Sequence, residues 1–338
     1  MARYPLKQSP AASQLAAVPV HGALVDAELA ARHQAFLAAA TTDNTRRAYR
    51  SAIRHFQTWG GALPADESAV IRYLLAYADT LNARTLALRL TALSQWHVYQ
   101  GFFDAASTPT VRKTLAGIAR LHGKPKKKAK ALPLADLERI VACLHEQGNE
   151  QGTVKALRDS ALLQLGFFGG FRRSELVALR VEDVSWEPQG MLITLPRSKT
   201  DQSGEGIVKA VPYGEGLCCP ASALRSWLAA AGIVAGPLLR TVNQWGHVAG
   251  KALHAGSINT ILEGCATLAG LDYVPELSSH SLRRGMATSA HRAGADFQAI
   301  KRQGGWRHDG TVHGYIEEAG RFDSNAAGSL LRKKTSTT

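Results

Sequence analysis

The sequence predicts a mainly α fold with a small antiparallel β-sheet, divided into two domains, and three observations carry that expectation. Apolar residues recur at helical spacing through most of the chain. Met191, Ile193 and Leu195 instead recur at every second position, residues 207–211 are also strand-like, and the segment between is rich in turn formers, the pattern of a β-hairpin. Between the two helix-rich halves lies Lys124-Pro-Lys-Lys-Lys-Ala-Lys130, a lysine run beside proline that cannot bury itself. With 338 residues, 45% apolar and 20% charged, the chain is long enough for two cores and too apolar to remain disordered.

Residues 1–24 are rich in Ala, Pro and Ser and are expected to form a flexible tail. They lack the continuous apolar core of a signal peptide. Residues 25–123 carry helical patterns with breaks at Gly60-Gly61, Leu63-Pro64 and Thr108-Pro109. The helix opening at Asp43-Asn44-Thr45 is the most informative. Tyr49, Ile53 and Phe56 share one side at i, i+4 and i+7, while Arg47, Arg50 and Arg54 gather on the other. One face suits packing and the other suits phosphates, although a solvated basic face is the plain alternative. Arg84, Arg89, Arg112, Lys113 and Arg120 add basic positions on later helices and favour phosphate binding. Over residues 124–131, Lys124, Lys126, Lys127 and Lys128 form either a spacer or a basic strap along a polyanion.

The second domain opens near Leu132, where Pro133 and Asp136 suit a helix start. A strongly apolar helix follows around residues 154–168, then the hairpin, with Lys199 in its connecting segment. Helical patterns resume from Pro220 to about Gly320, and residues 323–331 suit a short helix before a polar end.

The formal net charge is +13 and the isoelectric point near 9.8, which points to a polyanionic partner without separating DNA from RNA or an anionic membrane. No run of eighteen apolar residues is present, so a spanning helix is not expected. Cys143, Cys218, Cys219 and Cys265 lack paired-ligand spacing and are expected to be reduced thiols, not a zinc site.

Candidate chemistry concentrates in three places: Gly170-Phe-Arg172-Arg-Ser-Glu175-Leu, the hairpin Lys199, and a closing stretch with His280-Ser-Leu-Arg283, Gly304-Gly305-Trp306 and Tyr315. A phosphodiester gains negative charge as a nucleophile adds, so catalysis needs placed cations and donors. Arginine binds two phosphate oxygens and stays charged. His280 and Arg283, three apart, share a helix face. Trp306 offers one N–H donor, Lys199 can protonate a leaving oxygen, and Tyr315 is a candidate nucleophile for a covalent phosphodiester. Glu175 can hold one of the cations. Singly, each has a bland reading: Arg172 and Glu175 as a structural ion pair, His280 as a cap, Trp306 as packing, Lys199 as a solvated charge. Together they are the parts for breaking and rejoining a nucleic-acid strand through tyrosine, with no cofactor and no metal.

In that order and spacing, over roughly residues 25–331, the chain resembles the tyrosine recombinase (phage integrase) family, and its simple Cre-like members most. The matching residues are Asn44-Thr-Arg-Arg-Ala-Tyr49, Gly-x-Arg-x-Ser-Glu-Leu at Arg172, Lys199, His-x-x-Arg at His280 and Arg283, Gly-Gly-Trp at Trp306, and Tyr315. Motif register assigns Arg172 and Arg283 in preference to their neighbours Arg173 and Arg284, and Trp306 in preference to His308 or His313. The resemblance implies an all-α core-binding domain and a catalytic domain with a small antiparallel sheet, clamping double-stranded DNA. It implies a site-specific recombinase acting through a 3′-phosphotyrosyl intermediate, as a homotetramer on DNA and a monomer or weak oligomer when free, in the cytoplasm with the nucleoid. Residues 323–331 would dock on a neighbouring protomer or pack in cis. A type IB topoisomerase and a catalytically silent DNA-binding relative are the alternatives.

Overall fold

The computed structural model describes residues 40–125, 127–151, 153–195 and 206–319, with a few helical positions before residue 40 and at Ala327. The chain divides into two compact units, Met1–Lys126 and Lys127–Thr338.

In the first unit, four helices follow from strong local start signals. Thr42, Asp66, Asn82 and Thr108 cap α1 (Asp43–Thr58), α2 (Glu67–Ala76), α3 (Ala83–Tyr99) and α4 (Pro109–His122), each side chain accepting a hydrogen bond from a backbone N–H of the first turn. Pro109 opens α4, where a missing N–H costs nothing. Their apolar faces meet in one core around Phe56, Val70, Tyr73, Leu86, Leu93 and Val111. The predicted sidedness of α1 is present: Phe56 is buried, and Arg47, Arg50 and Arg54 are exposed. Buried His97 ties α3 to the loop before α2. Its Nε2 accepts from the Ala65 N–H at 2.9 Å and its Nδ1 donates to the Leu93 carbonyl at 2.8 Å, which requires the neutral Nδ1–H form.

The second unit is built around α6 (Val154–Phe168), buried on nearly all sides. It packs against α5 (Leu134–Gln151), α8 (Pro220–Ala230) and α10 (Ser279–Arg292). The short α7 (Arg173–Ala178) follows it directly. Strands β1 (Val184–Glu187), β2 (Gly190–Leu195) and β3 (Ile207–Pro212) form an antiparallel sheet in that order, with Ile193 opposite Lys209. Next come β4 (Arg240–Val242), β5 (Val248–Ala252) and α9 (Ser257–Leu268); after α10 the chain continues through α11 (Phe297–Gly304) and α12 (Asp309–Ala319). Among the described residues, no helix is long and apolar enough to cross a membrane.

The expected helical run from Pro220 to Gly320 is interrupted by β4 and β5, which pair as a second small sheet. These strands are three and five residues long, too short for a period to register. Their turn is set by Asn243, whose side-chain oxygen accepts from the N–H groups of Trp245 and His247, both at 3.0 Å. Strand β1 also went unforeseen, since only its first residue is even half-buried. The short helix expected over residues 323–331 lies outside the described residues apart from helical Ala327.

Candidate active site

The site is organised by the C-terminal end of α6. The final carbonyls of a helix have no partner within it, and the aligned peptide dipoles give that end negative character. Here donors from three other elements collect them. Gln303 of α11 donates to the Phe168 carbonyl at 2.8 Å. Lys209 of β3 donates to the Gly169 carbonyl at 2.7 Å and reaches that of Gly170 at 3.4 Å. Arg283 of α10 donates to the Gly170 carbonyl through Nη1. Gly170 has φ +55°, the left-handed conformation that turns the chain sharply, and a Cβ there would lie 2.7 Å from the Met286 methyl.

That turn delivers Arg172 to the start of α7. Glu175 accepts from the Arg172 backbone N–H at 2.9 Å and from its guanidinium at 2.6 Å, so one carboxylate caps the helix and orients the cation. Arg173 points to solvent. Arg283 is 3% exposed, and burial, then Arg172, pushes its pKa down to about 10. Among the described residues its Nη2 has no hydrogen-bond partner.

Trp306 reaches Arg283 because α11 ends in a left-handed residue, Gly305, whose N–H donates to the Arg302 carbonyl while that of Trp306 donates to Lys301. The indole folds back over Gly304, where a Cβ would collide with the ring. It lies under the Arg283 guanidinium at 4.2 Å and meets the half-buried Tyr315 edge to face, ring centres 5.7 Å apart. Arg284 sits over the other aromatic partner, 5.0 Å from the Tyr315 ring centre. The doubled arginine therefore serves both aromatics, one each.

Of the residues expected from sequence, Arg172, Glu175, Arg283, Trp306 and Tyr315 are thus brought together. His280 is the exposed residue in the otherwise buried first turn of α10, one turn before Arg283. His308 is exposed, and His313 packs on Phe297 with ring centres 4.4 Å apart. Lys199 lies outside the described residues, as does Lys126. In the first unit, Arg84 donates to the Lys124 carbonyl at 3.4 Å and Lys124 is exposed, as are Lys127 and Lys128 at the start of the second. Arg89 instead turns inward, donating to the Tyr73 hydroxyl at 3.1 Å and lying 2.8 Å from Nδ1 of His55. Burial and then Arg89 hold the His55 pKa below its ordinary value.

Residues 130–320 match the model of the phage integrase family. The chain belongs to that family. It is 35% identical over 300 residues to the integrase/recombinase xerD homolog of Selenomonas ruminantium, covering 86% of each chain. It is 29% identical over 277 residues to the tyrosine recombinase XerC of Mycobacterium bovis (strain BCG / Pasteur 1173P2), covering 76% of this chain and 82% of that protein. Its fold is similar to that of a lambda integrase dimer bound to a COC' core site, with a TM-score of 0.58, 17% identity and coverage of 86% and 77%. As a phage integrase family member, the chain is a site-specific tyrosine recombinase.

One residue of this integrase site escaped the sequence analysis. Lys209 is 3% exposed, packs over the Phe171 ring at 4.6 Å, and shares the inward face of β3 with Val211. Burial, then Arg283, pushes its pKa down to about 7. The available signal was the strand alternation itself, which puts a lysine where a core residue belongs.

Proposed function

We propose that this recombinase cuts and rejoins double-stranded DNA through Tyr315, with Arg172 and Arg283 holding the scissile phosphate. The Tyr315 oxygen attacks phosphorus and gives up its proton, the P–O5′ bond breaks, and the 5′-oxygen leaves as a hydroxyl. The new 3′-phosphotyrosyl ester keeps the bond energy, so the reverse attack rejoins the strand without a nucleotide. His280 and the Trp306 N–H would help bear the charge that grows on the phosphoryl oxygens, and Lys199 would supply the leaving-group proton.

The observation that carries this reading is the assembly around Arg283. Its guanidinium bridges the turn that delivers Arg172 and the indole that contacts Tyr315, with Nη2 left unpaired among the described residues. The exposed face of Arg47, Arg50 and Arg54, with Lys124, Lys127 and Lys128, suits the DNA backbone. Residues 25–123 would form the core-binding domain and residues 132–322 the catalytic domain. Strand exchange by a homotetramer and a cytoplasmic location beside the chromosome follow from the same reading, as does docking of residues 323–331 on a neighbouring copy.

The test uses duplexes tiled across the DNA adjoining the gene, each nicked so that cleavage traps the intermediate. Wild-type protein is expected to form a detergent-stable adduct with a duplex bearing inverted repeats, and Tyr315→Phe to bind that duplex without forming one. An adduct formed by the Phe variant would overturn the assignment of the nucleophile.

A further inference from the structure

Three cationic side chains, Arg172, Arg283 and Lys209, share one small volume with a single carboxylate, Glu175, among the described residues. Buried cations usually face as many carboxylates. Glu175 is engaged with Arg172, so Arg283 and Lys209 rest chiefly on peptide carbonyls at the end of α6. Those carbonyls supply dipoles, not a full negative charge. The cluster is therefore short of an anion, the condition that a bound phosphodiester would relieve.

Lys209 is the member of this cluster that can change charge near neutral pH. The charged groups acting on it are Arg283 from α10, with Glu175 and Arg172 from α7 and its cap. Beside it are the neutral Ile193 across the sheet, the Phe171 ring, and Gln303, which donates to the carbonyl of Ala210, the next residue of β3. Its Nζ donates to the Gly169 carbonyl and reaches the Gly170 carbonyl that Arg283 also uses. Displacing it would free the turn that carries Arg172 from β3.

We propose that Lys209 is a positioning residue for DNA cleavage: it fixes the Gly169-Gly170 turn that presents Arg172, and takes up a proton when the scissile phosphate enters. The proposal rests on reading this cluster as the phosphate site. A neutral lysine lets the empty cage fold with less uncompensated charge. Arrival of the anion then favours the ammonium, which tightens the turn when Arg172 is needed.

Two measurements test it. In protein labelled at the lysine ε-carbon, one NMR signal is expected to titrate near neutrality, to move to higher pH in inorganic phosphate, and to be missing from Lys209→Arg. Lysines that all titrate above about pH 9, or a signal that phosphate does not move, would overturn the proposal without any reference to DNA. The second measurement is calorimetry in buffers of different ionisation heat, near pH 8, with the duplex that wild type cleaves and Tyr315→Phe protein to block chemistry. Binding is expected to take up close to one proton, and none when Lys209→Met is added or when a neutral methylphosphonate replaces the scissile phosphate. Unchanged uptake in the Met variant overturns the proposal. In the cleavage assay Lys209→Met is expected to bind DNA normally and cleave about 100-fold more slowly, with Lys209→Arg recovering most of the rate. Full-rate cleavage by the Met variant counts against Lys209 alone, whereas a wild type that forms no adduct with any tiled duplex counts against the recombination chemistry itself.

Discussion

Arg283 stacks 4.2 Å over the Trp306 ring while its Nη1 donates to the Gly170 carbonyl, so one guanidinium joins α10 to both glycine turns of the site. The aromatic ring shields one face of the cation and the carbonyl fixes its rotation. A phosphate bound as proposed would require little reorganisation of this side chain, which is the main use of a preorganised donor.

Replacing the indole separates its two roles. Trp306→Phe keeps a ring beneath Arg283 and is expected to lose about 1 kcal/mol of stability. Trp306→Ala removes a buried side chain and is expected to lose about 3–5 kcal/mol. Both lack the N–H donor, so single-turnover cleavage falls about tenfold or more even for the Phe variant. Urea melts and adduct formation check the two effects, and wild-type cleavage by Trp306→Phe would remove the donor role.

Glu175→Gln retains the shape and an oxygen for the Arg172 N–H, but leaves the half-buried Arg172 without its counter-charge. Stability is expected to drop by about 2–3 kcal/mol, near the lower end for breaking a buried ion pair. Cleavage slows as well, because Arg172 is no longer aimed. A variant as stable as wild type in chemical denaturation would show that the pair contributes nothing to the fold.

The lowered pKa of Lys209 makes stability depend on pH in a definite direction. The unfolded chain holds that proton up to about 10.5, whereas the folded chain releases it from about 7 upward. The stability tied to Lys209 is therefore fully present above 10.5 and is lost as pH falls toward 7. Lys209→Met has no such dependence. The variant's stability relative to wild type should be greatest near pH 6 and decline steadily up to pH 10, at no more than about 1.4 kcal/mol per pH unit. Denaturation of both proteins at matched pH values measures this, and a constant difference would refute the titration.

The exposed arginine face of α1 is expected to act through phosphates alone. Arg50→Ala should weaken binding to all duplexes alike and reduce the logarithmic salt slope by about 1. Titrations at several salt concentrations check this; an unchanged slope would take Arg50 off the DNA.

Much of this molecule was legible because the relevant signals are local. Helix α6 appears in the sequence as an apolar run ending at two glycines, and α1 as an amphipathic helix opening at Asp43-Asn44-Thr45. The motif residues Arg172, Arg283, Trp306 and Tyr315 stand out through spacing. Strands β1, β4 and β5 did not, since three to five residues carry too little pattern to outweigh helical neighbours. Lys209 was passed over for another reason: its type says surface while its register in β3 says core, and composition alone hides that conflict.

By itself the sequence determined the family and the helical character of the chain, and it offered the candidate residues for phosphate chemistry, because motif spacing and periodicity are properties of short segments. The tertiary structure alone decided that the carbonyls ending α6 gather a lysine from β3, an arginine from 113 residues further along the chain, and a glutamine from α11. It also decided that Arg284, beside the motif arginine, covers Tyr315. Burial and hydrogen-bond partners arise only when distant segments meet, and here that meeting turns separate motif residues into one charged site.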